Sequence, residues 1–178
     1  MKSFVEFAQN RYSCRSFSTQ KVENEKIEAC LAAANISPSA CNSQPWRFIV
    51  VTNEELIQKL AEQTQLRGAN KFMNDVPAVV AFVQQKSPRY NPGIVEWLGD
   101  GRFSDFDTGL CAAHFIFQAS ELGLGTCMVG GMGEAVVAEL LGLSESEKML
   151  VMIAIGYPLD APREKKRVPV EEKTSYIK

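Results

Sequence analysis

Pro77-Ala-Val-Val-Ala-Phe-Val-Gln84 is a near-continuous apolar run. A strand with a polar face would alternate; this one does not, so it reads as a central strand covered on both sides. Outward from it lie two further strands, 47–52 with Phe48, Ile49, Val50 and Val51, and 149–157, buried. Helical patterns separate them. Ser3-x-x-Glu6 is a capping box that opens a helix from Phe4 to about Asn10. Residues 22–36 carry Ile27, Cys30, Leu31 and Ala34 at helical spacing, and Ser37-Pro38-Ser39-Ala40 ends that helix. Thr52-x-x-Glu55 reads as a second capping box, before Leu56, Ile57, Leu60 and Ala61. Residues 105–122 form an apolar helix stopped at Gly123, and 134–141 a short helix closed by Gly142. Residues 86–101 are irregular, and 123–133 are glycine-rich. Strands separated by helices make a mixed α/β-type domain, with helices packed on a sheet.

The 178 residues correspond to one domain, 1–178. Hydrophobic residues make up 46%, enough for a core. Nineteen basic against 21 acidic side chains leave a net charge of −2, which gives no global attraction to nucleic acid or an anionic membrane. The apolar run 149–155 falls far short of the roughly 18–20 residues that span a bilayer. The start, MKSFVEFAQNRYS, carries Glu6 and no sustained apolar run, so no signal peptide is expected. Five cysteines without a CxxC pair suggest reduced thiols and a cytoplasmic protein. No His, Cys or carboxylate spacing supports a metal site.

Four segments carry chemistry. In Arg11-Tyr12-Ser13-Cys14-Arg15, an extended chain points Arg11, Ser13 and Arg15 to one side, two guanidinium groups and a hydroxyl converging as a phosphate site needs. A solvated loop with ordinary surface charge is the alternative. Lys165-Lys166-Arg167 places Lys165 and Arg167 on one face in the same way; alone it is a generic basic patch, but with the first cluster it suits a phosphate dianion. Ser37-Pro38-Ser39-Ala40-Cys41-Asn42-Ser43-Gln44-Pro45-Trp46 offers amide donors and acceptors suited to a heterocycle edge, or else is a polar loop ended by a core Trp. Residues 123–133 hold five glycines in eleven residues, which permits backbone approach to a flat ligand or simply tight turns. This stretch fits neither the dinucleotide fingerprint nor a P-loop. His114, the only histidine, lies in an apolar helix and reads as structural; Cys14 with His114 would be needed for a thiol hydrolase.

Together these segments resemble the FMN-dependent nitroreductase family. Arg11-x-Ser13-x-Arg15 resembles its phosphate motif, and Pro38-Ser39-Ala40-x-Asn42-x-Gln44-Pro45-Trp46 its flavin-edge loop. Gly123-Leu-Gly-Thr126 through Gly131 is similar to its glycine-rich flavin segment. Gly156-Tyr157-Pro158, then Lys165-x-Arg167-x-Pro169 and Glu171-Glu172, resembles its C-terminal signature. The resemblance runs from about residue 3 to residue 172. It implies an α+β fold, with a central, mostly antiparallel mixed sheet flanked by helices, in an intertwined homodimer with FMN at the interface. Arg11, Tyr12, Ser13, Arg15, Lys165 and Arg167 would hold the phosphate and ribityl end. Pro38, Ser39, Ala40, Asn42 and Gln44, from the partner subunit, would lie near the ring, with Thr126, Gly130 and Gly131 at its edge. Gln65, Arg67 or Asn70 would serve the pyrimidine side, and Tyr90, Trp97 and Phe103 the substrate pocket. The implied activity takes a hydride from NAD(P)H and passes electrons, in a ping-pong cycle, to an electron-poor nitroaromatic, quinone, enone or flavin. No side chain is catalytic in the acid–base sense. The alternatives are a flavin-binding or storage protein without significant turnover, a dehalogenating or flavin-fragmenting relative, and the thiol hydrolase.

Overall fold

The central run becomes β2 (Ala78–Gln84), which pairs antiparallel with β1 (Trp46–Val51) on one side and β4 (Lys148–Gly156) on the other. A fourth strand, β3 (Gly125–Val129), pairs antiparallel with β4, giving the sheet order β1-β2-β4-β3. The computed structural model describes residues 3–85, 93, 96, 97, 103–162 and 164–178. Tyr90 and most of the expected irregular stretch 86–101 lie outside the described residues, as does Arg163.

The lack of alternation in β2 has a direct cause. Val79, Ala81 and Val83 enter one core with Leu60, Met73 and Met152, while Ala78, Val80 and Phe82 enter a second core with Phe115 and Ile153. Each valine, leucine, isoleucine, methionine or phenylalanine so buried contributes about 1.5–3 kcal/mol, and the two alanines less. Phe82 stacks edge-on between Phe48 and Phe115, with ring centroids 5.1 and 5.4 Å away. The first core is roofed by α3 (Glu54–Thr64) and α5 (Glu134–Leu140), the second by α2 (Asn24–Asn35) and α4 (Ser104–Glu121). At the N-terminus, α1 (Phe4–Asn10) has the expected capping box, Ser3 Oγ accepting from Glu6 N and Glu6 accepting from Ser3 N.

Two sequence expectations need correction. The cap of α3 is Asn53, whose Oδ1 accepts from Leu56 N at 2.9 Å, rather than Thr52. The glycine-rich stretch 123–133, read as ligand approach or tight turns, contains a strand, β3, that the sequence reading did not assign. Gly123 and Gly142 do end their helices, at φ +75° and +63°, where a side chain would be strained. The described strand ladders are all antiparallel, and the parallel element is an isolated bridge between Ser13 and Thr126.

Candidate functional site

The segment 11–15 runs extended along the outer edge of β3. Cys14 N donates to Thr126 O at 2.9 Å, next to the Ser13–Thr126 bridge. Cys14 is fully buried, so its neighbours Ser13 and Arg15, and with them Arg11, face outward. The close approach needs Gly125: a Cβ there would lie 2.8 Å from both Cβ and Sγ of Cys14. The chain after β4 then folds back over this arm. Phe17 bridges Pro158, and Leu159 N donates to Ser16 O at 2.9 Å. Farther along, Lys165 Nζ donates to Ala8 O at 2.6 Å.

The arm and the strap enclose an open cavity of about 350 Å³, lined by Arg11, Tyr12, Ser13, Arg15, Glu164, Lys165, Lys166 and Arg167. Among the described residues, none of its basic side chains is in an ion pair. The cations act on one another instead. Partial burial lowers the Arg11 guanidinium pKa, and Arg167 lowers it further; burial, then Arg11 and Arg167, lower Lys165. Cations held together against repulsion, with Glu164 as the single acid among the lining residues, have the chemistry to take an anion. The two clusters expected to converge do so here.

Tyr12 lines the cavity, but its hydroxyl is engaged elsewhere, donating to the carbonyl and to Oδ1 of Asp160. Burial, then Asp160, raises the Tyr12 pKa above its usual value. Cys14 Sγ lies 3.3 Å from the same Oδ1. Burial works to raise the Asp160 carboxyl, but hydrogen bonds from Cys14, Tyr12 and backbone N–H groups outweigh it and hold the pKa low.

The end of α2 and the loop 37–46 are fastened to α4 by one stripe of that helix. Asp107 Oδ2 accepts from Ala40 N at 3.1 Å, Cys111 Sγ donates to Ala34 O, and His114 Nδ1 lies 2.8 Å from Ser37 Oγ. Positions i, i+4 and i+7 share a helix face. Asp107 is only 3% exposed, and burial raises its carboxyl pKa against the opposing hydrogen bond from Ala40. The loop itself is strained, with Cys41, Asn42 and Gln44 at φ +53°, +53° and +49°. Gln44 N donates to Ser39 Oγ, and Gln44 Nε2 to Asn42, both at 3.0 Å; Trp46 Nε1 donates to Asn35 Oδ1. No residue of the loop 38–44 lines the cationic cavity.

Thr126 is buried between the arm and β4, so its backbone rather than an exposed side chain does the work. At Gly130 and Gly131 an added Cβ would meet open space, so the surface there can admit a flat group. Asn70 donates to Thr64 O and Gln65 to Asn74, and neither lines the cavity. Trp97 is 80% exposed, and Phe103 caps α4. The thiol route fails on geometry: Cys14 faces Ser16 and Asp160, while His114 faces Ser37 and Leu110. Burial also pushes the Cys14 thiol up to about 11, leaving little thiolate near neutral pH.

The profile described as "Nitroreductase family" matches residues 8–157, most of the chain and both sides of β2. The chain belongs to the nitroreductase family. A crystal structure of a nitroreductase family protein from Clostridium difficile 630 superposes with a TM-score of 0.83 at 33% identity, over 98% of each chain. An iodotyrosine deiodinase from Thermotoga neapolitana is 26% identical over 187 residues, covering 93% of each chain. A NADPH-flavin oxidoreductase from Vibrio harveyi is 25% identical over 174 residues, covering 95% of this chain and 71% of its own.

Within this nitroreductase fold, sequence reasoning singled out neither Asp160 nor the fastening role of Asp107. Asp107 had one available signal, its spacing from Cys111 and His114 on one helix face. Asp160 had none, because its partners lie about 150 residues away.

Proposed function

We propose that this nitroreductase family member is an FMN-dependent NAD(P)H oxidoreductase that reduces electron-poor small molecules. The observation that carries this reading is the cationic cavity. Arg11, Arg15, Lys165 and Arg167 crowd together without ion-pair partners among the described residues, and such a donor set fits a phosphate dianion. Arg11, Ser13, Arg15, Lys165 and Arg167 would together hold the phosphate and ribityl end. When bound, FMN would supply the redox chemistry that links NAD(P)H to the acceptor in a ping-pong order. The open surface at Gly130 and Gly131 receives the ring edge.

The loop 38–44, fastened to α4, covers the ring of the site in a second copy of the chain. Two features support this: the loop does not line its own chain's cavity, and the surface beside it is apolar and exposed. Phe4 is 67%, Ile36 78% and Phe106 67% exposed. Exposed apolar surface of this kind is a mark of association.

Purified protein should carry visible flavin absorbance and bleach under anaerobic NADH or NADPH. Colour should return on adding a nitroaromatic, a quinone, free flavin or iodotyrosine, and the panel identifies the acceptor class. Arg167→Ala should weaken FMN by about tenfold or more, since a hydrogen bond to a charged group is worth about 1.5–3 kcal/mol. Protein that stays colourless after reconstitution contradicts the reading, and bound flavin that no nicotinamide bleaches favours a storage role.

A further inference from the structure

Asp160 makes contacts that the binding of a cofactor does not by itself require. It lies on the strap between the Phe17–Pro158 bridge and the cations Lys165 and Arg167. Its carbonyl and carboxylate both accept from the Tyr12 hydroxyl, its Oδ1 lies 3.3 Å from Cys14 Sγ, and its carboxylate also accepts from the backbone N–H of Arg15. One side chain thus touches three of the five residues of the opposite arm. The arm carries two of the cavity's basic side chains, Arg11 and Arg15, and the strap three, Lys165, Lys166 and Arg167, and like charges across the two repel. Something must hold them at the separation of one phosphate. The backbone bridges do this only at the root of the strap, and Lys165 Nζ to Ala8 O only at its far end.

We propose that Asp160 and Tyr12 form a latch that sets the distance between the two cationic arms, so that Tyr12 is a positioning residue for the phosphate rather than one of its ligands. The inference rests on the reading of the cavity as the FMN phosphate site. The latch acts on the phosphate end alone, so its effect should appear in FMN affinity and not in riboflavin affinity. That selectivity separates it from a merely structural role, which would weaken both.

The test measures dissociation constants for FMN and riboflavin with the full-length protein and three variants. Tyr12→Phe removes one hydroxyl and keeps the ring. Asp160→Ala removes the carboxylate contacts of the latch and keeps the main-chain carbonyl, and Asp160→Asn restores a side-chain carbonyl acceptor for Tyr12. Tyr12→Phe and Asp160→Ala should each weaken FMN by about tenfold and leave riboflavin within about twofold, with Asp160→Asn recovering most of the loss; the scale is that of hydrogen bonds to a charged group. Should Asp160→Ala fail to fold, Tyr12→Phe carries the same comparison. If wild type prefers FMN over riboflavin and Tyr12→Phe keeps that preference, or weakens both flavins equally, the latch is overturned and the phosphate reading stands. If wild type itself shows no preference for FMN, the phosphate reading falls and the latch with it.

Discussion

Asp107 shows how a single buried carboxyl can cost stability beside a loop that needs it. It is 3% exposed, burial raises its pKa, and its carboxylate accepts from Ala40 N. A carboxyl with a raised native pKa holds its proton more tightly when folded. Its favourable contribution is present below the unfolded value, near 3.9, and is lost as pH rises through the native value. At neutral pH the charged form is therefore the costly one. Asp107→Asn keeps a carbonyl facing Ala40 and carries no charge. It should melt higher at about pH 7, by about 2–4 °C if the gain is about 1 kcal/mol in a domain of this size. The gap should shrink toward about pH 3, where wild type is protonated as well. Thermal melts across that range decide the matter, and a gap that is constant with pH would show that the charge is not the cause.

At the scale of elements, the legible parts were those set by short-range geometry. Arg11, Ser13 and Arg15 converge because an extended chain repeats every two residues, and Gly123 and Gly142 end helices because they sit one step past an apolar periodic run. The strand β3 was not legible, because it is short and opens on Gly125, and the reason for that glycine lies elsewhere in the chain. Gly125 is small for the sake of Cys14, more than a hundred residues earlier. The cap of α3 moved by one residue because Thr52 and Asn53 are both good caps, and the choice depends on where β1 ends. The docking of arm on strand gives a direct prediction. Gly125→Ala places a Cβ 2.8 Å from two Cys14 atoms and 3.2 Å from Pro158 Cβ, so arm or strap must shift. Overpacking of this kind costs about 1–3 kcal/mol, and FMN affinity should fall with it. Gly130→Ala meets nothing within 4 Å and should melt within about 0.5 kcal/mol of wild type. Denaturant unfolding and flavin titration of the two variants check both halves, and equal behaviour would refute the docking account.

At the scale of the whole molecule, the two parts of the proposed flavin site lie on separate surfaces of one chain. The cationic cavity is built by the arm and strap at the β3 edge, and the strained loop is fastened to α4. Next to the loop is an apolar groove of about 400 Å³ between α1, α2 and α4, lined by Phe4, Phe7, Ile36 and Phe117 among others. The helix α1 buries none of its residues, and its two phenylalanines pack on each other and on Phe117. Ile36 is 78% exposed and directly precedes the Ser37 that His114 holds. A second copy seated on this groove would cover Ile36 and Phe4, and the proposed sharing of the site requires each loop to reach the partner's cavity. Association and flavin binding are then one event. Ile36→Glu combined with Phe4→Glu should give a monomer by sedimentation, and that monomer should lose flavin although every cation of the cavity is intact. Neither position is buried in the chain, so the fold should survive, and far-UV circular dichroism checks this. A monomer that retains FMN with wild-type affinity would show that one chain suffices, and a dimer that persists would move the interface to another face.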